Sequence, residues 1–231
     1  MAASPRRCSP KQWQQAFSFV SARDFLAVFK EDMQHILLVD SSPRGAASFS
    51  RKLSNAIIEK LKATHPKVTL RVRDLTVNPT PHLEESHLAA LFSPPEKHSD
   101  KDKLAIRHSD TAIAEIMAAD TIVIGVPMYN FSIPSVLKAW IDHIVRAGHT
   151  FRYTDSGVEG MVKGKKIFLA VATGGKYSEG PMKSHDFTEP YLRAILGFLG
   201  ITDVTTFRVE GVAIPDAQST ALDKAIQSIR V

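Results

Sequence analysis

The stretch His35-Ile36-Leu37-Leu38-Val39-Asp40-Ser41-Ser42-Pro43-Arg44-Gly45-Ala46-Ala47-Ser48 sets the architecture of the chain from Gln34 onward. Its opening is a continuous apolar run of strand length, the pattern of a strand buried on both faces of a parallel sheet. Ser41 to Gly45 is a loop, and Ser48 can cap a helix whose buried face is Leu53, Ile57 and Leu61, spaced by four. Strand, polar loop and capped helix in immediate succession are one winding of an α/β domain.

The same alternation runs to the end of the chain. Val68 to Val72, Thr121 to Val126, Lys166 to Val171 and Val204 to Val209 read as four further strands. Between Asn78 and Asp102 the prolines Pro79, Pro81, Pro94 and Pro95 predict an irregular excursion, which leads into a helix ending near Met117. Pro134 to Ala147 is the clearest helix, with Ser132 as its expected cap, Gly148 as its expected stop, and Val136, Leu137, Trp140, Ile141, Ile144 and Val145 as an apolar stripe. A helix over Pro190 to Leu199 and a closing helix with Ala221, Ala225 and Ile229 on one face complete the map. The expected fold is α/β, a doubly wound three-layer α/β/α sandwich around a five-stranded parallel sheet.

Composition bounds the function classes. The 231 residues suffice for one α/β domain, and 44% hydrophobic with 23% charged residues is ordinary globular composition. No run approaches the roughly 18 apolar residues that a membrane span needs. The single cysteine, Cys8, excludes an internal disulfide, and no Cys/His cluster has structural zinc spacing, so a reducing, cytoplasmic setting is expected. The net charge of +5 and pI near 9.3 suit an anionic partner. Lysines and arginines are interleaved with carboxylates, as in Lys97 to Lys103, which argues against nucleic acid and leaves a phosphorylated cofactor.

In a doubly wound sheet the ligand sits at the carboxyl ends of the strands, beside the point where strand order reverses. The loop Ser42 to Ser50 offers the hydroxyls of Ser42, Ser48 and Ser50 and the free N–H groups of a helix start, which suits a phosphate. It is neither Gly-x-Gly-x-x-Gly nor a Gly-Lys-Ser/Thr loop, so a monophosphate fits better than a dinucleotide or triphosphate. An ordinary serine-rich turn with an N-cap is the alternative. After the third strand, Pro127-Met128-Tyr129-Asn130-Phe131 places flat side chains and an amide where small polar residues are usual, either facing a planar ligand or covering the sheet edge. After the fourth, Thr173-Gly174-Gly175 permits close backbone approach to a ligand or is simply a turn. Phe151-Arg152-Tyr153 could wall a pocket or meet a partner subunit.

These segments, with Arg146-Ala147-Gly148-His149-Thr150-Phe151-Arg152-Tyr153 and Gly197-Phe198-Leu199-Gly200-Ile201-Thr202-Asp203, resemble the FMN-dependent NADH:azoreductases, also described as NADH:quinone reductases, over roughly Gln34 to Ile229. The resemblance implies a flavodoxin-like fold, a homodimer with one FMN per subunit at the interface, and ping-pong reduction of quinones and azo compounds by NADH. It implies that Ser42 and Ser48-Phe49-Ser50 hold the FMN phosphate, that Met128-Tyr129-Asn130-Phe131 flank the isoalloxazine ring, and that Ala172-Thr173-Gly174-Gly175 approach its pyrimidine edge. No catalytic side chain is required; Asn130 is the candidate for tuning the flavin. The chain departs from well-known members at Ala172-Thr173, where they often have Ser-Arg, and at Tyr177, where they often have His.

Other polar residues have weaker claims. His143 is expected to be structural, His149 and Arg152 to lie on the surface, and Asp40 to form a turn rather than act as an acid. Residues 1–32 fall outside the family pattern and are expected to be an N-terminal extension to a domain over 33–231. Arg6, Arg7, Lys11 and Arg23 are compatible with a transit peptide, but Asp24, Glu31 and Asp32 are residues such peptides avoid; Met33 as the true start is a further reading.

Overall fold

A computed structural model describes residues 33–231. The extension over residues 1–32, including the weakly amphipathic stretch from Ala16 to Phe29, lies outside the described residues. Strands β1 (Gln34–Asp40), β2 (Val68–Asp74), β3 (Thr121–Pro127), β6 (Lys166–Ala172) and β7 (Asp203–Val209) form one sheet of five, and β4 (Phe151–Thr154) and β5 (Gly157–Gly160) a separate antiparallel hairpin. The helices among the described residues are α1 (Phe49–Thr64), α2 (Glu85–Phe92), α3 (Asp100–Ala118), α4 (Ser135–Ile144), α5 (Glu189–Phe198) and α6 (Pro215–Ser228).

The sheet order is β2-β1-β3-β6-β7, with every neighbour parallel. Strand order therefore reverses between β1 and β3, and their carboxyl ends open on the expected ligand crevice. Alternation along the strands builds two cores. Leu37, Val39, Ile122, Ile124, Leu169 and Val171 face α3, α4 and α5. Ile36, Leu38, Val123, Phe168, Ala170 and Phe207 face α1 and α6. The three-layer sandwich expected from the sequence is what forms, because each central strand has both faces covered and can be apolar throughout.

Several local expectations change. Ser132 does not cap α4: its N–H and carbonyl exchange hydrogen bonds with Tyr129, and Pro134 is the N-cap residue, its φ fixed by its own ring. The helix ends at Ile144, before Gly148, which takes a φ of +76° in the following turn. The excursion from Asn78 to Asp102 is not irregular throughout, since α2 forms inside it, capped reciprocally by Glu84 and His87. Phe151-Arg152-Tyr153 belongs to the β4–β5 hairpin. Gly160 lies so close to the Leu199–Gly200 backbone that a Cβ there would collide with it.

β3 also carries a positional glycine. A Cβ on Gly125 would stand 2.6 Å from Asp40 Oδ1 on the neighbouring strand. Gly125→Ala is expected to cost about 1–3 kcal/mol through overpacking, read as a lower urea midpoint with an unchanged slope.

Candidate functional site

Three loops meet at the carboxyl edge of the sheet, after β1, β3 and β6. The first leaves β1 through Ser41, whose hydroxyl donates to the Gly125 carbonyl at 2.7 Å and so ties the loop to β3. A 3-10 turn, Gly45–Ala47, then delivers Ser48 to the start of α1. The Ser48 hydroxyl accepts from the Arg51 N–H at 3.3 Å and lies 3.0 Å from the Ser50 hydroxyl. Ser42, Ser48 and Ser50 are all buried. The N–H groups of Phe49 and Ser50, in the first turn of α1, donate to no acceptor among the described residues. Unclaimed amides, clustered hydroxyls and the positive end of a four-turn helix are a donor set that suits a phosphate dianion.

Arg51, which sequence reasoning passed over, holds the loop from behind. Its Nε and Nη2 donate to the Ser42 carbonyl at 3.0 and 2.8 Å, its Nη1 and Nη2 to the two oxygens of Asp74 at 2.7 and 2.8 Å, and its Nη1 to Asp40 Oδ2 at 3.3 Å. Ser54 adds a hydrogen bond to Asp40 Oδ1 at 3.2 Å. The expectation that Asp40 forms a turn is thereby corrected: it is buried at the end of β1 and helps hold a guanidinium. Hydrogen bonding from Arg51 keeps the Asp74 carboxyl well below the usual carboxylate range, whereas burial pushes Asp40 up. The available signal was an arginine in the first turn after an anion loop, with aspartates closing both β1 and β2.

The second loop is strained. Tyr129 and Ser132 exchange N–H···O=C bonds of 2.9 and 3.1 Å, closing a two-residue tip in which Asn130 and Phe131 both take left-handed backbone, with φ of +49° and +69°. For Phe131 that backbone costs about 1–2 kcal/mol, while Asn130 tolerates it, and such strain gathers at ligand sites. The Met128 N–H donates to the Ala172 carbonyl at 2.8 Å, joining this loop to the next. Tyr129, Asn130 and Phe131 are exposed and Met128 half-buried.

In the third loop the carbonyls are claimed and the amides are not. Val212, Ala213 and Gly211 donate to the carbonyls of Thr173, Gly174 and Gly175 at 3.2, 3.0 and 3.0 Å, and the Thr173 hydroxyl adds a bond to Gly175 at 2.8 Å. The N–H groups of Gly174 and Gly175 meet no acceptor among the described residues. They suit the carbonyl-bearing edge of a heterocycle. Ala172 and Thr173 are buried and serve as the loop's anchor.

Because β3 lies between β1 and β6, the aromatic tip stands between the two sets of free donors. A cleft of about 900 Å³ opens beside the first two loops, lined by Pro43, Thr76, Tyr129, Asn130, Ser135 and Tyr191. The donor set fits a planar ring with a phosphate tail. The described residues contain no cluster of His, Cys, Asp or Glu suited to a metal ion. No described helix is long and apolar enough to cross a membrane.

The remaining candidates lie apart from this site. His143 is buried in α4, with Nε2 3.0 Å from the Pro81 carbonyl and its ring edge-on to His87. Desolvation lowers its pKa, as expected of a structural, neutral imidazole. Arg152 is exposed and pairs with Glu159 across the hairpin at 2.6 Å, and His149 is on the surface.

The flavodoxin-like fold family matches residues 34–231. A protein from a Nostoc species named FMN-dependent NADH:quinone oxidoreductase is 50% identical over 200 residues, covering 85% of this chain and 97% of that one. The crystal structure of an azoreductase from Bacillus anthracis superposes with a TM-score of 0.77 at 32% identity, covering 84% of this chain and 98% of that one. A second Bacillus anthracis structure, an FMN-dependent NADH-azoreductase in complex with FMN, gives a TM-score of 0.75 at 25% identity, covering 85% and 97%.

Replacing Arg51 by Ala should leave Asp40 and Asp74 facing each other without a cation. It is expected to cost about 2–3 kcal/mol at neutral pH, between the limits for exposed and buried pairs. A carboxyl whose folded pKa is depressed stabilises the fold above its unfolded value of about 4, and that contribution is lost as pH falls through the folded value. Urea unfolding followed from pH 7 down to about pH 2 should therefore show a shallower acid limb in Arg51→Ala than in the parent.

Proposed function

The chain belongs to the flavodoxin-like fold family, with FMN-dependent NADH:quinone oxidoreductases as its relatives, and from that premise we propose that it reduces quinones and aromatic azo compounds with NADH through FMN held by the three loops. The observation that carries this reading is the placement of two sets of unclaimed donors, Phe49/Ser50 and Gly174/Gly175, on either side of the strained Asn130–Phe131 tip. A phosphate and a polar ring edge satisfy them together. The flat faces of Tyr129 and Phe131 border the space between.

When bound, FMN would supply the two-electron chemistry that links NADH to a quinone or azo acceptor, in the ping-pong order this reading implies. The chain's own contribution is to hold, orient and polarise. Ser42, Ser48, Phe49 and Ser50 bind the phosphate through hydroxyls and first-turn amides, and Arg51 fixes the loop without needing to touch it. Met128, Tyr129, Asn130 and Phe131 flank the ring, with the Asn130 carboxamide free to donate toward it. Ala172, Thr173, Gly174 and Gly175 present two N–H groups to the pyrimidine edge, where donors favour negative charge on the reduced ring. The protein supplies no nucleophile.

In the same reading the enzyme is a cytoplasmic homodimer with one FMN per subunit, and residues 1–32 are an extension to the catalytic domain. The β4–β5 hairpin supports the dimer: it holds Tyr153 and Val158 in water, at 75% and 47% exposure, on a rigid arm braced against Gly200.

Purified protein should carry a flavin absorbance band that bleaches on addition of NADH and returns on addition of menadione or a soluble azo dye. NADH oxidation without acceptor turnover would leave only an electron carrier. Ser50→Ala removes a buried hydroxyl from the phosphate cradle and should raise the FMN dissociation constant about 10- to 100-fold, measured by titrating apoprotein and following flavin fluorescence.

A further inference from the structure

Residues 177–188 form a strap beside the aromatic tip, and both its ends are held by the terminus of β7. At one end Glu210 accepts from the N–H groups of Tyr177 and Ser178 at 2.8 and 2.9 Å and from the Ser178 hydroxyl. At the other end Arg208 donates to Asp186 at 2.5 Å and to Glu189 at 2.6 Å, while Asp186 Oδ1 accepts from the Thr188 and Glu189 N–H groups. The strap lays two rings against Phe131. Tyr177 meets it edge-on, with centroids 6.2 Å apart, and His185 meets it tilted, at 5.3 Å. The Phe187 N–H then latches the Phe131 carbonyl at 3.0 Å, so the strap also holds the left-handed backbone of the tip.

Tyr177 is placed for more than packing. Its ring lies so close to Gly175 that a Cβ there would stand 3.2 Å from its Cε2. Its phenol hydroxyl has no hydrogen-bond partner among the described residues, and the side chain is only half-buried. A free donor on a ring that borders both the glycine loop and the aromatic tip is a feature the phosphate-and-ring reading does not use.

We infer that Tyr177 is a specificity-determining residue for the electron acceptor. Its ring, braced by Phe131 and fixed through Glu210, sets the width of the acceptor space, and its hydroxyl donates to a carbonyl oxygen or azo nitrogen of a planar aromatic acceptor. The inference rests on FMN occupying the three loops. Replacement by Phe keeps the wall and removes the donor; replacement by Ala removes both.

The test uses FMN-loaded, oxidised full-length protein without NADH, so that binding is read apart from turnover, with anthraquinone-2-sulfonate as probe and calorimetry as readout. Tyr177→Phe should weaken the probe by about three- to tenfold, the worth of one neutral hydrogen bond, with the flavin spectrum unchanged. In steady state the same variant should raise KM for menadione and leave kcat within about twofold. Tyr177→Ala should raise KM for menadione further and lower the ratio of its kcat/KM to that of a bulkier azo dye, because the wall is gone. Unchanged probe affinity and an unchanged ratio in both variants, with FMN retained, would overturn the inference alone. A parent protein that takes up no FMN would overturn it together with the reading beneath it.

Discussion

A single guanidinium organises the carboxyl edge of this sheet. Arg51 stands in the first turn of α1, yet its donors go to the ends of β1 and β2 and to the carbonyl of the loop between β1 and α1. Two carboxylates on adjacent parallel strands, Asp40 and Asp74, are directly opposite in register and would repel without a cation between them. With Arg51 in place they become a rigid floor beneath the serines. The cost of bringing these charges partly out of water is offset only because nearly every donor on the guanidinium has an acceptor. The serine loop inherits its fixed geometry from that satisfaction.

The other side of the site follows the same logic with different partners. Glu210 and Arg208, two residues apart at the end of β7, hold the opposite ends of the strap that carries Tyr177, His185 and Phe187. Arg208 sits among Asp186, Glu189 and Glu210, and hydrogen bonding to the first two keeps it charged despite burial. Loop atoms that must be exact are thus tied to strands, which are the stiffest parts of the fold. Among the described residues the first-turn amides of Phe49 and Ser50 at α1 and the amides of Gly174 and Gly175 after β6 are left free. Rigid surroundings with unclaimed donors are the form a preorganised cofactor site takes.

Much of this was legible in the residues. Short continuous apolar runs rich in β-branched residues and bounded by turn residues are the pattern of buried strands, so β1, β3 and β6 are legible close to their observed limits. The cap at Ser48 was readable because capping is local chemistry. Ser132 misled for the same reason: a serine before a proline resembles a cap, and only the fold shows its backbone engaged with Tyr129. The β4–β5 hairpin was hidden because its strands are short, and its support comes from Gly200 rather than from its own pattern. α2 was hidden by the prolines on either side of it.

The succession of the five sheet strands with the helices over Phe49–Thr64, Ser135–Ile144, Glu189–Phe198 and Pro215–Ser228, and the two-faced burial of the central strands, were therefore determined by sequence alone, since periodicity and turn chemistry act between near neighbours. The tertiary structure decided which polar groups are consumed and which are left for a ligand. Arg51 and Asp74 are 23 residues apart, and Ser178 and Glu210 are 32 apart, so their meeting depends on strand order and register, which no local pattern specifies. The left-handed turn at Asn130 and Phe131 belongs to the same class. Asn130 tolerates that backbone but Phe131 does not, and it persists because Tyr129, Ser132 and Phe187 hold the chain on both sides of it.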